Sequence, residues 1–370
     1  MPSPLSRGLR PADAVDLSSL RRVLVVKLRF HGDVLLTTPV LTTLKRHFPQ
    51  LEVDALVYAE TRSMLAGHPA LSELFAVDRG WRQRGRFTQL REEWRLLRQL
   101  RRRRHDLIIC LTEQWRCAWL ARLLPARYAV VGDYPRRTGR WWRRSFSHHY
   151  AQPFPRDRVE SHLDALRRIG CPVARDDKRT SLPPAPQAAD RVAGLLAEHG
   201  LQPGRFVLLH PTSRWLYKCW LPERYAEVIN QLENQRVRVV VTAAPSAPER
   251  DFVAEIMKQV KTNVLDLTGK LTLPELAELI RRAGCFFGVD SVPMHMAAAA
   301  GTPLVALFGP SHQGIWAPKG AGATVLSSTT RECLPCMKHG CGNSGYSECL
   351  EDVTVERVLT EVMARFHSRR

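Results

Sequence analysis

The stretch VLVVKLRFHGDVLLTTPVL, Val23 to Leu41, decides how the first half of the chain is read. It opens on a run of β-branched and aliphatic residues, the pattern of a strand buried in a parallel sheet, and closes on residues that begin a helix. Between the two stands Phe30-His31-Gly32-Asp33. A strand-to-helix turn of this kind commonly grips a phosphate, yet neither G-x-G-x-x-G nor G-K-[ST] is present, and an aspartate occupies the place of the glycines. The residues leave Asp33 two readings: a carboxylate projecting from the C-terminal end of the strand, or a helix N-cap. Thr38-Pro39 offers a competing helix start, with Thr as cap and Pro at the first helical position. On local geometry the cap is favoured, because Asp is common there.

Working outward, LEVDALVYA and HDLIICL read as further strands with helical patterns between them, an alternation that implies a parallel sheet covered by helices. SLPPAPQAAD, Ser181 to Asp190, interrupts the pattern with three prolines and is the expected linker. A second alternating series follows: RFVLLH, VRVVVTA, CFFGVD and LVALFG as strands, with helices through WLPERYAEVINQL, PERDFVAEIMKQV, LPELAELIRRAG and PMHMAAAA, the last ended by Gly301. The fold class expected is α/β, two Rossmann-like domains facing each other across a cleft, with ligands at the C-terminal ends of the strands.

The chain has 370 residues, more than one core normally fills, and its 44% hydrophobic content can fill two. Its formal net charge of +19, from 55 Lys and Arg against 36 Asp and Glu, implies an anionic partner: nucleic acid, an acidic membrane surface or a phosphorylated glycolipid. The N-terminal MPSPLSRGLRPADAVDLSSLRR carries neither the apolar run of a signal peptide nor a lipidation motif and reads as a disordered lead-in. The most apolar run, Val292 to Phe308, contains Pro293, His295, Thr302 and Pro303, which disqualify it as a membrane span. The expected location is the cytoplasm, and nine cysteines, five of them scattered, suit a reducing compartment.

Further segments bear on chemistry. HPTSRWLYKCW, His210 to Trp220, leaves a strand with Thr212, Ser213 and Lys218, which can hold a diphosphate and neutralise charge developing on it, or form an ordinary polar loop. In FFGVDSVPMHMAAAAGTP, Phe286 to Pro303, a strand ends at Asp290, and Ser291-Val292 open a helix whose N-terminus is a ready anion site. Either residue could instead be a simple cap, and His295, one turn in, reads from the residues alone as a satisfied core histidine. Eleven arginines crowd Arg79 to Arg104 against Glu92 and Glu93, and PRRTGRWWRRSF adds five more beside two tryptophans. Such a run is either a solvated helix face with its Leu and Trp side inward, or a surface that holds an acidic, membrane-embedded acceptor. Near the end, Cys333, Cys336, Cys341 and Cys349 are spaced C-x₂-C-x₄-C-x₇-C, compatible with a structural zinc or with a cluster of reduced thiols.

With KLRFHGDVLLTTPVL, HPTSRWLYKCW and FFGVDSVPMHMAAAAGTPLVALFGP in view, the chain resembles the bacterial lipopolysaccharide core heptosyltransferases, glycosyltransferase family 9, from about Arg21 to the C-terminus. With its C-terminal CLPC, GC and SECL, it looks most like the third heptosyltransferase, which adds the branching heptose to the inner core. The resemblance implies a GT-B enzyme that needs no metal or other cofactor and inverts the anomeric centre of an ADP-linked heptose. It implies Asp33 as the general base on the acceptor hydroxyl and Lys218 as the stabiliser of the departing diphosphate. Thr212 and Ser213 match the phosphate-contacting hydroxyl pair, Asp290 the aspartate on the donor heptose, Ser291 and Val292 the diphosphate contacts, and His295 the histidine of the motif. Glu249 resembles the acidic residue on the ribose hydroxyls, and Leu271 and Leu273 are expected near the adenine. The loop to Lys218 is one residue longer than in the first heptosyltransferase, and Val292-Pro293 stand where glycine is common.

The expected organisation is a lead-in over 1–20, an acceptor-binding domain over 21–180, a linker over 181–190, a nucleotide-sugar-binding domain over 191–350 and a C-terminal helix over 351–370 that packs back on the N-terminal domain. The expected reaction is heptose transfer from ADP-L-glycero-D-manno-heptose to the phosphorylated inner core on lipid A, at the branch on heptose II, with Arg82, Arg84 and Arg86 toward the acceptor and peripheral contact with the anionic inner membrane. The alternatives are another donor or core acceptor, or a basic nucleic-acid-binding protein; for the last the chain carries no recognised motif, and no nucleic-acid partner is expected.

Overall fold

The computed structural model describes residues 11–320 and 322–368. The first ten residues of the expected lead-in lie outside the described residues. The rest of it is ordered, contrary to expectation: Asp16 caps a short 3-10 turn, Leu17–Ser19, and Val15, Leu17 and Leu20 are buried. Asp13 pairs with Arg168 at 2.7 Å, and its carbonyl accepts from His148 Nε2 at 2.9 Å. Three apolar side chains with a core to enter outweigh the entropy of ordering so short a segment.

The chain divides into two units between Pro183 and Pro184, inside the expected linker. In the first, strands β1 (Arg22–Lys27), β2 (Glu52–Tyr58), β3 (Glu73–Val77), β4 (Leu107–Cys110), β5 (Tyr128–Gly132) and β6 (His148–Tyr150) form one sheet in the order β3-β2-β1-β4-β5-β6, every pair parallel. Helices α1 (His31–Leu35), α2 (Thr38–His47), α3 (Arg86–Arg103), α4 (Trp115–Leu123), α5 (Arg140–Arg143) and α6 (Arg158–Arg168) connect or cover them. The central strands β1 and β4 are the aliphatic runs read from sequence; β3 and β5 are runs of five residues and β6 of three, too short to show a period. One face of the sheet packs on Leu96 and Leu100 of α3, Cys117 and Leu120 of α4, and Trp142 of α5.

The second unit repeats the plan. Strands β7 (Phe206–His210), β8 (Arg238–Val241), β9 (Leu265–Asp266), β10 (Cys285–Val289), β11 (Leu304–Leu307) and β12 (Ala323–Leu326) run in the order β12-β11-β10-β7-β8-β9, again all parallel. Its helices are α7 (Pro186–Glu198), α8 (Pro222–Asn234), α9 (Ala247–Met257), α10 (Leu273–Arg282), α11 (Val292–Ala300), α12 (Gln313–Trp316) and α13 (Val355–His367). The start of α7 cuts the expected linker short, since Pro186 suits a first helical position and Ala188, Val192 and Leu196 make a buried stripe. Gly301 adopts the left-handed φ of +71° that ends α11 where the sequence suggests.

The C-terminal helix corrects one expectation. Val358, Leu359, Val362 and Phe366 of α13 belong to the same core as Val207, Phe287 and Val305, beside α8, β10 and β11. Its apolar stripe is spent inside the core of the second unit.

Both sheets share the doubly wound order, which reverses between β1 and β4 in one and between β7 and β10 in the other. Such switch points open a crevice beyond the carboxyl ends of the strands. The turns after β1, β7 and β10 carry Asp33, Thr212-Ser213 and Asp290-Ser291, so each unit carries candidate residues at its own switch point.

All nine cysteines are free thiols. Burial, and then the neighbouring Cys341, Cys336 and Cys333, push the Cys349 thiol up to about 11. Among the described residues no three His, Cys, Asp or Glu side chains are grouped to hold a metal ion.

Candidate active site

In the first unit, Phe30 occupies the N-cap position of α1 with extended backbone, and Asp33 is the third residue of the helix. No side chain caps α1, so Asp33 is not an N-cap. Thr38 is likewise inside α2, whose cap position is Thr37; the Thr38 hydroxyl donates to Leu35 O at 2.9 Å. The first-turn position places the Asp33 carboxylate in the favourable field of the helix N-terminus.

What holds Asp33 is Lys27, the last residue of β1. Its ammonium is 3.6 Å from Asp33 Oδ1, donates to Leu111 O at 3.0 Å and meets His162 Nε2 at 2.9 Å. His162 Nδ1 stands 2.9 Å from Leu36 O and must donate there, which leaves Nε2 as the acceptor for Lys27. Burial, and then the Lys27 charge, push His162 well below the usual histidine range, so the ring is neutral. Burial also brings Lys27 down to about 8, against the pull of Asp33, which favours its charged form. Two of its three N–H groups are tied to fixed acceptors, and the third is the one available to Asp33.

The sequence reading missed this lysine. The signal was present: a lysine ends the otherwise aliphatic run VLVVK, and buried lysines are almost always paired.

In the second unit, Lys218 from the β7 loop reaches Asp290 at the end of β10, Nζ to Oδ2 at 2.7 Å, with both side chains mostly covered. The two strands are neighbours, and Gly288 lies opposite His210; a Cβ at Gly288 would stand 2.7 Å from His210 O. Next to Asp290, Ser291 occupies the N-cap position of α11, and its buried Oγ has no hydrogen-bond partner among the described residues. A buried hydroxyl left open at a helix N-terminus is a place for an anionic oxygen. Val292 opens α11, and His295 is buried one turn further on, its ring 6.4 Å from that of Trp316.

The hydroxyl pair is turned inward. Thr212, fully buried, donates to Glu249 Oε2 at 2.7 Å, and Ser246 donates to Oε1 at 3.1 Å, so both oxygens of this buried first-turn carboxylate of α9 are oriented. Ser213 donates to Trp215 O at 2.9 Å and accepts from its N–H at 3.1 Å. Leu271 and Leu273 are half-buried at the start of α10, flanking Thr272, whose capping box with Glu275 sets that turn. A stack of Trp215, Tyr217 and His339, centroids 5.1–6.2 Å apart, stands next to Lys218 in sequence; no spacing in the chain announced it.

Of the arginines expected to face the acceptor, Arg82 ends a 3-10 turn, Arg84 pairs with Asp78 and Arg86 opens α3; all three are exposed. The turn carrying Asp33 adjoins the beginning of this segment: His31 Nε2 bonds Glu60 O at 2.7 Å, and the Glu60 carboxylate holds Arg79.

Residues 93–347 match the family model described as glycosyltransferase family 9 (heptosyltransferase). The chain belongs to this family. It is a glycosyltransferase of the GT-B class, and its similarity to curated relatives is extensive. It is 36% identical over 293 residues to lipopolysaccharide heptosyltransferase 3 of Escherichia coli, covering 79% of this chain and 84% of that one. It is 26% identical over 361 residues to lipopolysaccharide heptosyltransferase 2 of Salmonella typhimurium, covering 92% and 97%. Among solved structures, a family 9 glycosyltransferase from Veillonella parvula superposes with a TM-score of 0.82 at 22% identity, covering 96% of this chain and all of that one. The E. coli heptosyltransferase WaaC with ADP superposes with a TM-score of 0.72 at 20% identity, covering 93% and 99%. At such identities the superpositions speak for the fold, and the glycosyltransferase assignment rests on the family model and the curated relatives.

Proposed function

We propose that this glycosyltransferase moves heptose from ADP-L-glycero-D-manno-heptose to the inner core of lipopolysaccharide, at the branch on heptose II. The observation that carries the reading is its 36% identity, over most of both chains, to lipopolysaccharide heptosyltransferase 3. The reaction is a single inverting displacement. Asp33 accepts the proton of the acceptor hydroxyl as that oxygen bonds to C1 of the donor heptose; the bond from C1 to the phosphate oxygen breaks, and ADP leaves with the electron pair. Lys218, the N-terminus of α11 and the open hydroxyl of Ser291 stabilise the charge arriving on the diphosphate.

The other assignments follow the chemistry of each side chain. Asp290 shares Lys218 with the leaving group and accepts from the heptose hydroxyls, with Val292 and His295 shaping the donor end of α11. Thr212 and Ser246 orient Glu249 toward the ribose hydroxyls, Ser213 fixes the loop that delivers Lys218, and Leu271 and Leu273 cover the adenine. Arg82, Arg84 and Arg86 meet the acceptor phosphates, a pairing that arginine makes with two N–H groups at once. No residue of this scheme requires a metal. The enzyme works at the cytoplasmic face of the inner membrane, where its acceptor is embedded; among the described residues no helix is long and apolar enough to cross a membrane.

The test is a mass measurement on purified core lipopolysaccharide lacking the branch heptose, incubated with ADP-heptose and enzyme. One added heptose with wild type, and a rate lower by about 10² to 10⁴ with folded Asp33→Asn, is the expected result. No mass shift on any truncated core, despite measurable ADP binding, would reject heptose as the sugar; equal rates in the variant would reject Asp33 as the base.

A further inference from the structure

Large apolar side chains left in solvent are ordinary when scattered and informative when gathered. In α3 only Leu96 and Leu100 are buried. Phe87 (91% exposed), Leu90 (68%) and Trp94 (61%) stand outside at helical spacing, the reverse of the inward tryptophan that periodicity suggests. On α4, Trp115, Trp119 and Leu123 form a second exposed stripe at spacing four, and Trp141 of α5 leans on both tryptophans, with centroids 5.6 and 4.9 Å away. The two stripes are joined, because Arg116 of α4 pairs with Glu93 of α3.

The charge around them is one-sided. Glu93 is used by Arg116 and Glu92 by Arg91 and Arg95, so the acids of α3 are spent internally. An open groove of about 400 Å³ is lined by Trp94, Leu97, Arg98, Arg101, Arg102 and Arg104, an apolar wall facing four cations. Guanidinium groups also cover the indole faces: Arg98 lies 4.6 Å over Trp94, Arg137 4.7 Å over Trp115 and Arg122 4.9 Å over Trp141. Single-stranded nucleic acid needs open aromatic faces on which bases stack, and here an arginine already lies over a face of Trp94, Trp115 and Trp141. Ring edges and aliphatic tips flanked by arginine suit the headgroup level of an anionic bilayer, where tryptophan settles and basic residues meet lipid phosphates.

We propose that the joined surface of α3, α4 and α5 docks the first unit onto an anionic phospholipid bilayer, with Phe87, Leu90, Trp94 and Trp119 entering the interface and the arginine groove holding headgroup phosphates. This rests on the proposed membrane-embedded acceptor for its purpose only, since lipid binding can be measured without any transfer.

The experiment pellets the full-length protein, at near-physiological salt, with vesicles of phosphatidylcholine alone or mixed with phosphatidylglycerol, the acyl chains brominated in a parallel set. Binding to the mixed vesicles only, with tryptophan emission quenched by bromine, is expected. Trp94→Ser combined with Trp119→Ser should weaken partitioning about tenfold and remove most quenching, while melting temperature and transfer to a water-soluble, deacylated core stay at wild-type values. Arg98→Gln with Arg101→Gln should weaken binding comparably and flatten its salt dependence. Equal affinity for both vesicle types, mixed-vesicle binding without quenching, or binding to poly(U) with none to vesicles would overturn the proposal. A wild-type vesicle result with no heptose transfer would instead count against the proposed reaction and leave the docking surface standing.

Discussion

At the residue scale, the site is governed by what surrounds Asp33. A carboxylate proposed as a base must be held in one orientation, and Lys27 can do this, because a charged ammonium has a third N–H after Leu111 O and His162 Nε2 are satisfied. A neutral amine has only two hydrogens and would turn a lone pair toward Asp33. Since Lys27 sits at about 8, kcat should fall as pH rises through that value. Lys27→Met should reduce kcat about tenfold at neutral pH and lack that alkaline inflection, as read from a kcat–pH profile. For the lysine at the other half-site, Lys218→Met should lower kcat by roughly 10²-fold, the usual effect of deleting one preorganised donor to a developing anion, with a smaller loss in ADP binding by calorimetry.

Asp33 stood out in the sequence because it occupies the place where phosphate turns have glycine, and local geometry alone favoured a helix cap there. The group that fixes its partner Lys27 was not legible, since Lys27 and His162 are 135 residues apart and meet through the packing of α6 against α2. The inward turn of Thr212 toward Glu249 was equally invisible: hydroxyls read as phosphate ligands from a loop sequence can be spent on a carboxylate that a distant helix delivers.

At the scale of elements, the central strands and amphipathic helices followed from periodicity, whereas the short edge strands did not. β6, His148–Tyr150, has no apolar run and exists because β5 offers it a ladder. α3 shows why composition misleads about orientation: eighteen residues rich in arginine and aromatics bury only two leucines. Leu100→Ala should therefore destabilise the protein by about 2–5 kcal/mol through a core cavity, and Leu90→Ser should stay within about 0.5 kcal/mol, both measured by denaturant unfolding. Gly288→Ala should cost about 1–3 kcal/mol, because its new Cβ meets the His210 carbonyl and the Phe286 ring on strands that cannot separate without breaking the β7–β10 ladder.

At the scale of the whole molecule, stability is tied to histidines buried in the neutral state. Burial holds His68 in the first unit and His210 in the second at about 4, against 6.5 for a free histidine. Between these values the unfolded chain binds more protons than the folded one, so stability is fully present above about 6.5 and is lost as pH falls toward 4. The loss is on the order of 3 kcal/mol per histidine, and a fall in melting temperature between about pH 7 and pH 4 would measure it. His162 adds to it in the same direction.

What the sequence determined by itself was the repeating plan: aliphatic strands alternating with amphipathic helices, and acidic or hydroxylated turns at their carboxyl ends, because the period of burial is written residue by residue. What only the tertiary structure decided was pairing. Which histidine ties down the lysine beside Asp33, which carboxylate receives Thr212, where α13 spends its apolar stripe and which side of α3 meets solvent all depend on residues far apart in the chain. No local pattern specifies such contacts; they are settled by which buried polar groups can be satisfied and which apolar faces find a partner when the two sheets close their cores.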